Sequence, residues 1–125
     1  MGKFVIRTVP TGVKFDLKAP NGETILTSEI YLTLAACRSG IASVRKNVPT
    51  AGTEDHTGAP PVTLPNPKFE LYRDKAGAFR FRLKARNGKI IAVSEAYAAL
   101  GGCLNGIASV RKNTAAAEIV EEGKP

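Results

Sequence analysis

The chain has no tryptophan, one histidine, one methionine and two cysteines in 125 residues, and aromatic residues make up only 6% of it. Each scarcity removes a class of function. One histidine, His56, leaves no His-rich metal site and no pair of histidines for proton relay. Two cysteines, Cys37 and Cys103, are too few for a disulfide-built scaffold and show no metal-ligand spacing. No apolar run reaches the 18 residues of a membrane-spanning helix. The first residues, Met1 to Arg7, contain no apolar core of a secretory signal, so a cytoplasmic protein is expected. Neither a phosphate-binding P-loop nor a G-x-G-x-x-G turn is present.

What the chain does contain is itself, twice. Gly40 to Asn47 and Gly106 to Asn113 both read G-I-A-S-V-R-K-N, an offset of 66 residues. Carried back to Lys14, that offset gives 20 identities in 34 positions, and before Lys14 it becomes 65. A unit of about 45 residues buries too little apolar surface to be stable alone, so the two copies should share one core. The expected organisation is a single domain over 1–125. It comprises repeat 1 (3–47), a Pro- and Gly-rich linker (48–67), repeat 2 (68–113) and a short C-terminal strand and tail (114–125).

The second copy shows the local pattern most clearly. Phe69 to Arg73 alternates like a strand, and Asp74 to Gly77 is turn chemistry. Phe79 to Arg86 then alternates apolar with basic, placing Phe79, Phe81, Leu83 and Ala85 on one face and Arg80, Arg82, Lys84 and Arg86 on the other. Asn87-Gly88 predicts a two-residue hairpin, with Arg86 opposite Lys89 and Leu83 opposite Ala92. In that register Ile90 and Ala92 join the core face, whereas Lys89, Ile91 and Val93 join the basic one.

Beyond Ser94 the period lengthens. Leu100, Cys103, Ile107 and Val110 form an apolar stripe for a helix over about 98–113, matched by Leu34, Cys37, Ile41 and Val44. Thr33 is the expected N-cap of the first helix, and Asn47 and Asn113 suit left-handed C-terminal caps. Ala117 to Glu121 alternates as a fourth strand, while Ala51 to Asp55 lacks comparable apolar support. Each copy therefore reads β-β-β-α, with a further strand only in the second. The fold class is α+β, two tandem β-β-β-α(-β) repeats forming one pseudo-two-fold antiparallel sheet with helices on one face.

The run K-F-E-L-Y-R-D-K-A-G-A-F-R-F-R-L-K-A-R-N-G-K-I-I-A-V-S-E-A-Y, followed by G-C-L-N-G-I-A-S-V-R-K-N, closely resembles the repeat of the YegP-like family of small bacterial and archaeal proteins of unknown function. The resemblance is dense over Lys68 to Asn113 and looser over Lys3 to Asn47. It implies two β-β-β-α-β units that build a single sheet and exchange their C-terminal strands. It implies no activity, catalytic residue, cofactor or metal.

An enzyme is not expected. His56 falls in the linker with no cysteine or serine partner, and Glu29 and Glu95 are read as closing the third strand of each copy. Cys37 and Cys103, on the helix stripes, are read as buried reduced thiols. Charge alone points to a partner. The net +7 is distributed as +4 over 3–47 and +7 over 68–113, with −2 in each of 48–67 and 114–125. Two readings follow. One is a small interaction or structural module that binds a protein, through sheet edges or a face with Ile91 and Val93. The other is a polyanion binder in which Arg80, Arg82, Lys84, Arg86 and Lys89 contact RNA or DNA. The chain is expected to be a monomer with internal pseudo-dimer symmetry, homo-oligomers being possible.

Overall fold

A computed structural model describes residues 2–58 and 60–122. The strands are β1 (Lys3–Val9), β2 (Gly12–Lys18), β3 (Thr24–Ser28), β4 (Gly52–Asp55), β5 (Lys68–Arg73), β6 (Phe79–Lys84), β7 (Ile90–Val93) and β8 (Glu118–Glu122). The helices are α1 (Leu34–Asn47) and α2 (Leu100–Thr114). All eight strands form one sheet in the order β4-β5-β6-β7-β3-β2-β1-β8. At its centre β3 and β7 pair antiparallel, Thr27 with Val93 and Ser28 with Ala92, on the pseudo-two-fold axis.

The edges depart from the expected all-antiparallel sheet. β4, which closes repeat 1, lies parallel to β5 of repeat 2, and β8 lies parallel to β1 of repeat 1. The sheet is therefore mixed, and each repeat ends on its neighbour's outer edge. Parallel neighbours cannot be joined by a two-residue hairpin; here each helix carries the chain from a central strand, β3 or β7, to the far edge of the sheet, β4 or β8. β4 is also a strand where sequence pattern offered none. Its one buried residue is the polar Glu54, so no apolar alternation marks it.

One apolar core lies between helices and sheet. Phe4, Phe15, Leu17 and Leu26 of repeat 1 and Phe69, Phe81 and Leu83 of repeat 2 meet Cys37, Ile41, Val44, Cys103, Ile107 and Val110. Phe4 packs edge-on against Phe15 and Phe69 against Phe81, both at 5.8 Å between ring centres. α1 rests on β2 and β7, and α2 on β3 and β6, so each helix spans both repeats.

Thr33 caps α1 by accepting from the Ala36 amide, whereas Ala99 offers α2 no side-chain cap. The helices do not end in left-handed asparagines, since no residue other than glycine has positive φ among the described residues. Asn47 and Asn113 instead turn back and donate to the Ser43 and Ser109 carbonyls at 2.8 and 2.9 Å.

The Asn87-Gly88 hairpin also differs from its expected form. Ala85 donates to the Lys89 carbonyl and Gly88 to the Ala85 carbonyl, with positive φ only at Gly88. This is a three-residue loop, a type I turn closed by a left-handed glycine. Leu83 does face Ala92, but Lys84 faces Ile90 across a register shift, which leaves Ile91 as the extra residue of a bulge. Ile91 is thereby buried in the core and not displayed on the basic face. Ile25 of repeat 1 sits at the same irregularity and is buried likewise.

Candidate binding face

The sheet surface opposite the helices carries the charged side chains of the alternating strands. In repeat 2 they form a network centred on Glu70, which is 5% exposed. Arg82 Nε donates to Glu70 Oε1 at 2.7 Å, and Lys84 Nζ lies 3.2 Å from Glu70 Oε2. Lys68, on the same strand as Glu70, donates from Nζ to Glu54 Oε1 of β4 at 2.9 Å and also lies 3.8 Å from Glu70. Further along, Arg80 Nε donates to Asp74 Oδ2 at 2.7 Å. Three of the five cations read as an anion-contact stripe, Arg80, Arg82 and Lys84, thus already face carboxylates of their own chain. Arg86 and Lys89 stand exposed on the hairpin loop.

Tethering continues into the segment read as a linker. The Leu64 amide donates to Glu54 at 2.6 Å and the Leu64 carbonyl accepts from Lys68 at 3.1 Å, which ties Leu64 to β4 and β5. His56 is exposed but not alone. Its Nε2 lies 2.6 Å from Glu54 Oε2, and its amide donates to the Leu71 carbonyl. The Lys68 ammonium, the Leu64 amide and His56 hold the Glu54 carboxyl down at about 2. Burial raises the Glu70 carboxyl, but the Arg82 and Lys84 contacts outweigh it and leave the group below its usual value.

Glu54, His56 and Glu70 bring ligand-type atoms within 4.8 Å of one another. Lys68, Lys84 and Arg82 already supply three positive charges to these two carboxylates. A divalent cation would have to displace the Lys68 ammonium to enter, so the trio reads as one half of a salt-bridge network. Sequence reasoning missed it because Glu54 and Glu70 become neighbours only through the parallel pairing of β4 with β5.

The repeat 1 half of the same face is built differently. Arg7 Nε donates to Asp16 at 2.7 Å, and Thr27 donates to the other Asp16 oxygen at 2.6 Å. Val5 and Val120 stand where repeat 2 has Glu70 and Glu54. Glu29 and Glu95 are exposed beyond the third strands, where Ser28 and Ser94 donate to their carbonyls and accept from Phe15 and Phe81.

Other residues with nucleophilic chemistry lie on the helix side. Cys37 and Cys103 are free and fully buried. Burial pushes the Cys103 thiol up to about 11, and raises Cys37 against the opposing pull of Arg38. The repeated octad is accounted for mainly by packing. Ile41 and Val44 are core, Ser43 bonds Asn47, and Arg45 and Arg111 stack over Phe4 and Phe69 at 5.3 and 4.9 Å.

Two interlocked β-β-β-α-β units around one mixed sheet, with a charged face opposite the helices, define a tandem-repeat α+β protein. The family model described as a domain of unknown function (DUF1508) matches residues 12–55 and 74–121, once per repeat, and the chain belongs to that family. The UPF0339 protein YegP of Yersinia pestis is 38% identical over 114 residues, covering 90% of this chain and 88% of that protein. A UPF0339 protein of Treponema denticola is 63% identical over 54 residues, 43% of this chain but 93% of its own length, so that relative is little more than one repeat. The solution structure of Escherichia coli YegP, a protein of unknown function, superposes with a TM-score of 0.78 at 34% identity over 99% of this chain and 96% of that one. A Shewanella oneidensis UPF0339 protein gives the same TM-score at 31% identity, covering 96% and 90%. The likeness to the YegP-like repeat holds, and with it the exchange of end strands.

Proposed function

We propose that the chain is a non-enzymatic interaction module that works in the cytoplasm and binds a protein partner. The observation that carries this reading is a pair of large apolar side chains in the loop before α1. Leu32 is 88% exposed and Ile30 50% exposed, flanking the half-buried Tyr31. Their equivalents around Tyr97 are Ala96 and Ala98, so the fold itself does not require bulk there. Isolated exposed apolar residues are ordinary, but two beside one ring offer a small anchor of the kind that centres protein interfaces.

The chemistry-bearing groups support binding over catalysis. Both thiols are buried, His56 is held against Glu54, and Glu54, Glu70, Asp16 and Asp74 each face a cation. Two free thiols accord with a reducing compartment.

Polyanion binding is the second reading. It is supported by the exposed Arg86 lining a groove of about 380 Å³ with Lys46 of α1, and by Lys89 beside it. Salt separates the two. A protein complex anchored on Ile30 and Leu32 should persist as salt is raised and be lost with I30A/L32A. Binding through Arg86 and Lys89 should fall with salt, with the log–log slope shallower by about 0.9 per phosphate contact removed in R86Q/K89Q. Retention of every partner by I30A/L32A would overturn the first reading.

A further inference from the structure

Two grooves, each between a helix of one repeat and a hairpin loop of the other, are equivalent across the pseudo-two-fold. The first, of about 380 Å³, lies between α1 and the β6–β7 loop and is lined by Ser39, Ser43, Lys46, Asn47, Arg86 and Asn87. The second, of about 440 Å³, lies between α2 and the β2–β3 loop, with Ser109, Lys112, Asn113 and Asn21 in the places of Ser43, Lys46, Asn47 and Asn87. Their helix walls come from the repeated octad. Packing accounts for Gly40, Ile41 and Val44 of that octad, but not for the exposed Lys46.

The loop walls have diverged in charge. Arg86 and Lys89 beside the first groove correspond to Pro20 and Glu23 beside the second. No carboxylate lines the first groove. Lys46, Arg86 and Lys89 are all exposed, and among the described residues none of them forms an ion pair. Lys68, Arg80, Arg82 and Lys84, in contrast, each face a carboxylate of their own chain. The last turn of α1 is the negative end of its dipole, so an anion here is held by the three cations and not by the helix.

The neutral lining selects what the anion is attached to. Asn47, only 6% exposed, donates from its amide nitrogen to the Ser43 carbonyl and hydroxyl at 2.8 and 3.1 Å, which leaves its own carbonyl oxygen to accept. Asn87 is the converse. Its carbonyl oxygen accepts from the Lys89 amide at 3.0 Å, and its amide nitrogen is left to donate. With the Ser39 and Ser43 hydroxyls, these groups suit a body rich in hydroxyls, and only Ala42 and Ala85 offer apolar surface. The volume falls within the range of small-ligand sites.

We propose that the groove between α1 and the β6–β7 loop binds a sugar phosphate, a phosphate monoester on a polyhydroxylated body. The proposal rests on the anion-binding reading of this groove and narrows it from a polymer to one phosphate. The phosphate accepts charge-assisted hydrogen bonds from Lys46, Arg86 and Lys89. The sugar hydroxyls pair with Ser43, Asn47 and Asn87. Because the two walls belong to different repeats, the site exists only where both repeats are folded together.

The test is an amide-resolved NMR titration of the full chain with glucose 6-phosphate, with glucose and inorganic phosphate as comparison probes, all at ionic strength matched with sodium chloride. Glucose 6-phosphate should give saturable shifts at Ser43, Asn47, Arg86 and Asn87 with Kd of about 1 mM, an affinity suited to so small a ligand. Shifts at Ser109, Asn113 and Asn21 should need at least about tenfold more ligand, since that groove has Pro20 and Glu23 for Arg86 and Lys89. Inorganic phosphate should bind the first groove at least about threefold more weakly, and glucose should give no saturable shift. R86Q/K89Q should weaken glucose 6-phosphate at least about tenfold with an unchanged circular dichroism spectrum. The proposal is overturned by an absence of saturable shifts, by equal affinity for inorganic phosphate, by equal response of the two grooves, or by a variant that binds within about twofold of the parent chain. If a single-stranded oligonucleotide binds and R86Q/K89Q abolishes it while glucose 6-phosphate gives no saturable shift, the sugar-phosphate site is overturned and polyanion binding at the same groove stands.

Discussion

Lys68 donates to Glu54 at 2.9 Å, and this contact fastens the strand that opens repeat 2 to the strand that closes repeat 1. Both side chains are buried, at 7% and 4% exposure, and Leu64 and His56 complete the carboxylate's shell. A buried ion pair is not stabilising merely by existing, but removing one partner strands the other. Glu54→Ala should therefore lower the thermal midpoint clearly, whereas Glu118→Ala, on the exposed part of β8, should leave it nearly unchanged.

The same carboxylate sets a pH dependence. Its folded value of about 2 lies below the ordinary 4.5, so the stability it contributes is present above about pH 5 and is lost as pH falls towards 2. Glu70 and Asp74, both held low, add in the same direction. Urea midpoints should be level from neutral pH down to about 5 and then fall, with a shallower fall in Glu54→Gln.

The basic stripe is expected to behave as a structural element. Replacing Arg82 and Lys84 together by Gln leaves Glu70 buried without its nearest cations, which should cost about 1–3 kcal/mol in chemical denaturation. Replacing the exposed Arg86 and Lys89 should stay within about 0.5 kcal/mol. Equal losses in the two pairs would contradict the network as described.

Gly40 and Gly106 invert a general rule. Glycine to alanine inside a helix ordinarily gains up to about 1 kcal/mol. Here an added Cβ would overlap the Tyr31 or Tyr97 hydroxyl and crowd Phe15 or Phe81. Gly106→Ala should instead cost about 1–3 kcal/mol, and Tyr97→Phe should recover part of that loss by removing the hydroxyl oxygen.

Much of this architecture is written in local pattern. The alternation of Phe79 to Arg86 and the stripe from Leu100 to Val110 each record one element against one core, and the octad repeat records that the elements come twice. What escapes pattern is what depends on distant partners. β4 has no apolar alternation because its buried residue, Glu54, is stabilised by Lys68, Leu64 and His56 and not by the core. Asn-Gly marks a hairpin without choosing between a two-residue and a three-residue loop, and that choice moved Ile91 from one face to the other. The stripe reads as free charge until β5 and the turn before β6 bring Glu70 and Asp74 beside it.

The exchanged edge strands should make the two repeats one folding unit, since β8 completes repeat 1 and β4 completes repeat 2. Sedimentation analysis of residues 68–125 expressed alone checks this. The fragment retains β5, β6, β7, α2 and β8 but loses the β1 edge on which β8 lies. It should be either unfolded or a dimer in which β8 of each copy pairs with β5 of the other. A folded, cooperatively melting monomer would show that one repeat folds without the other.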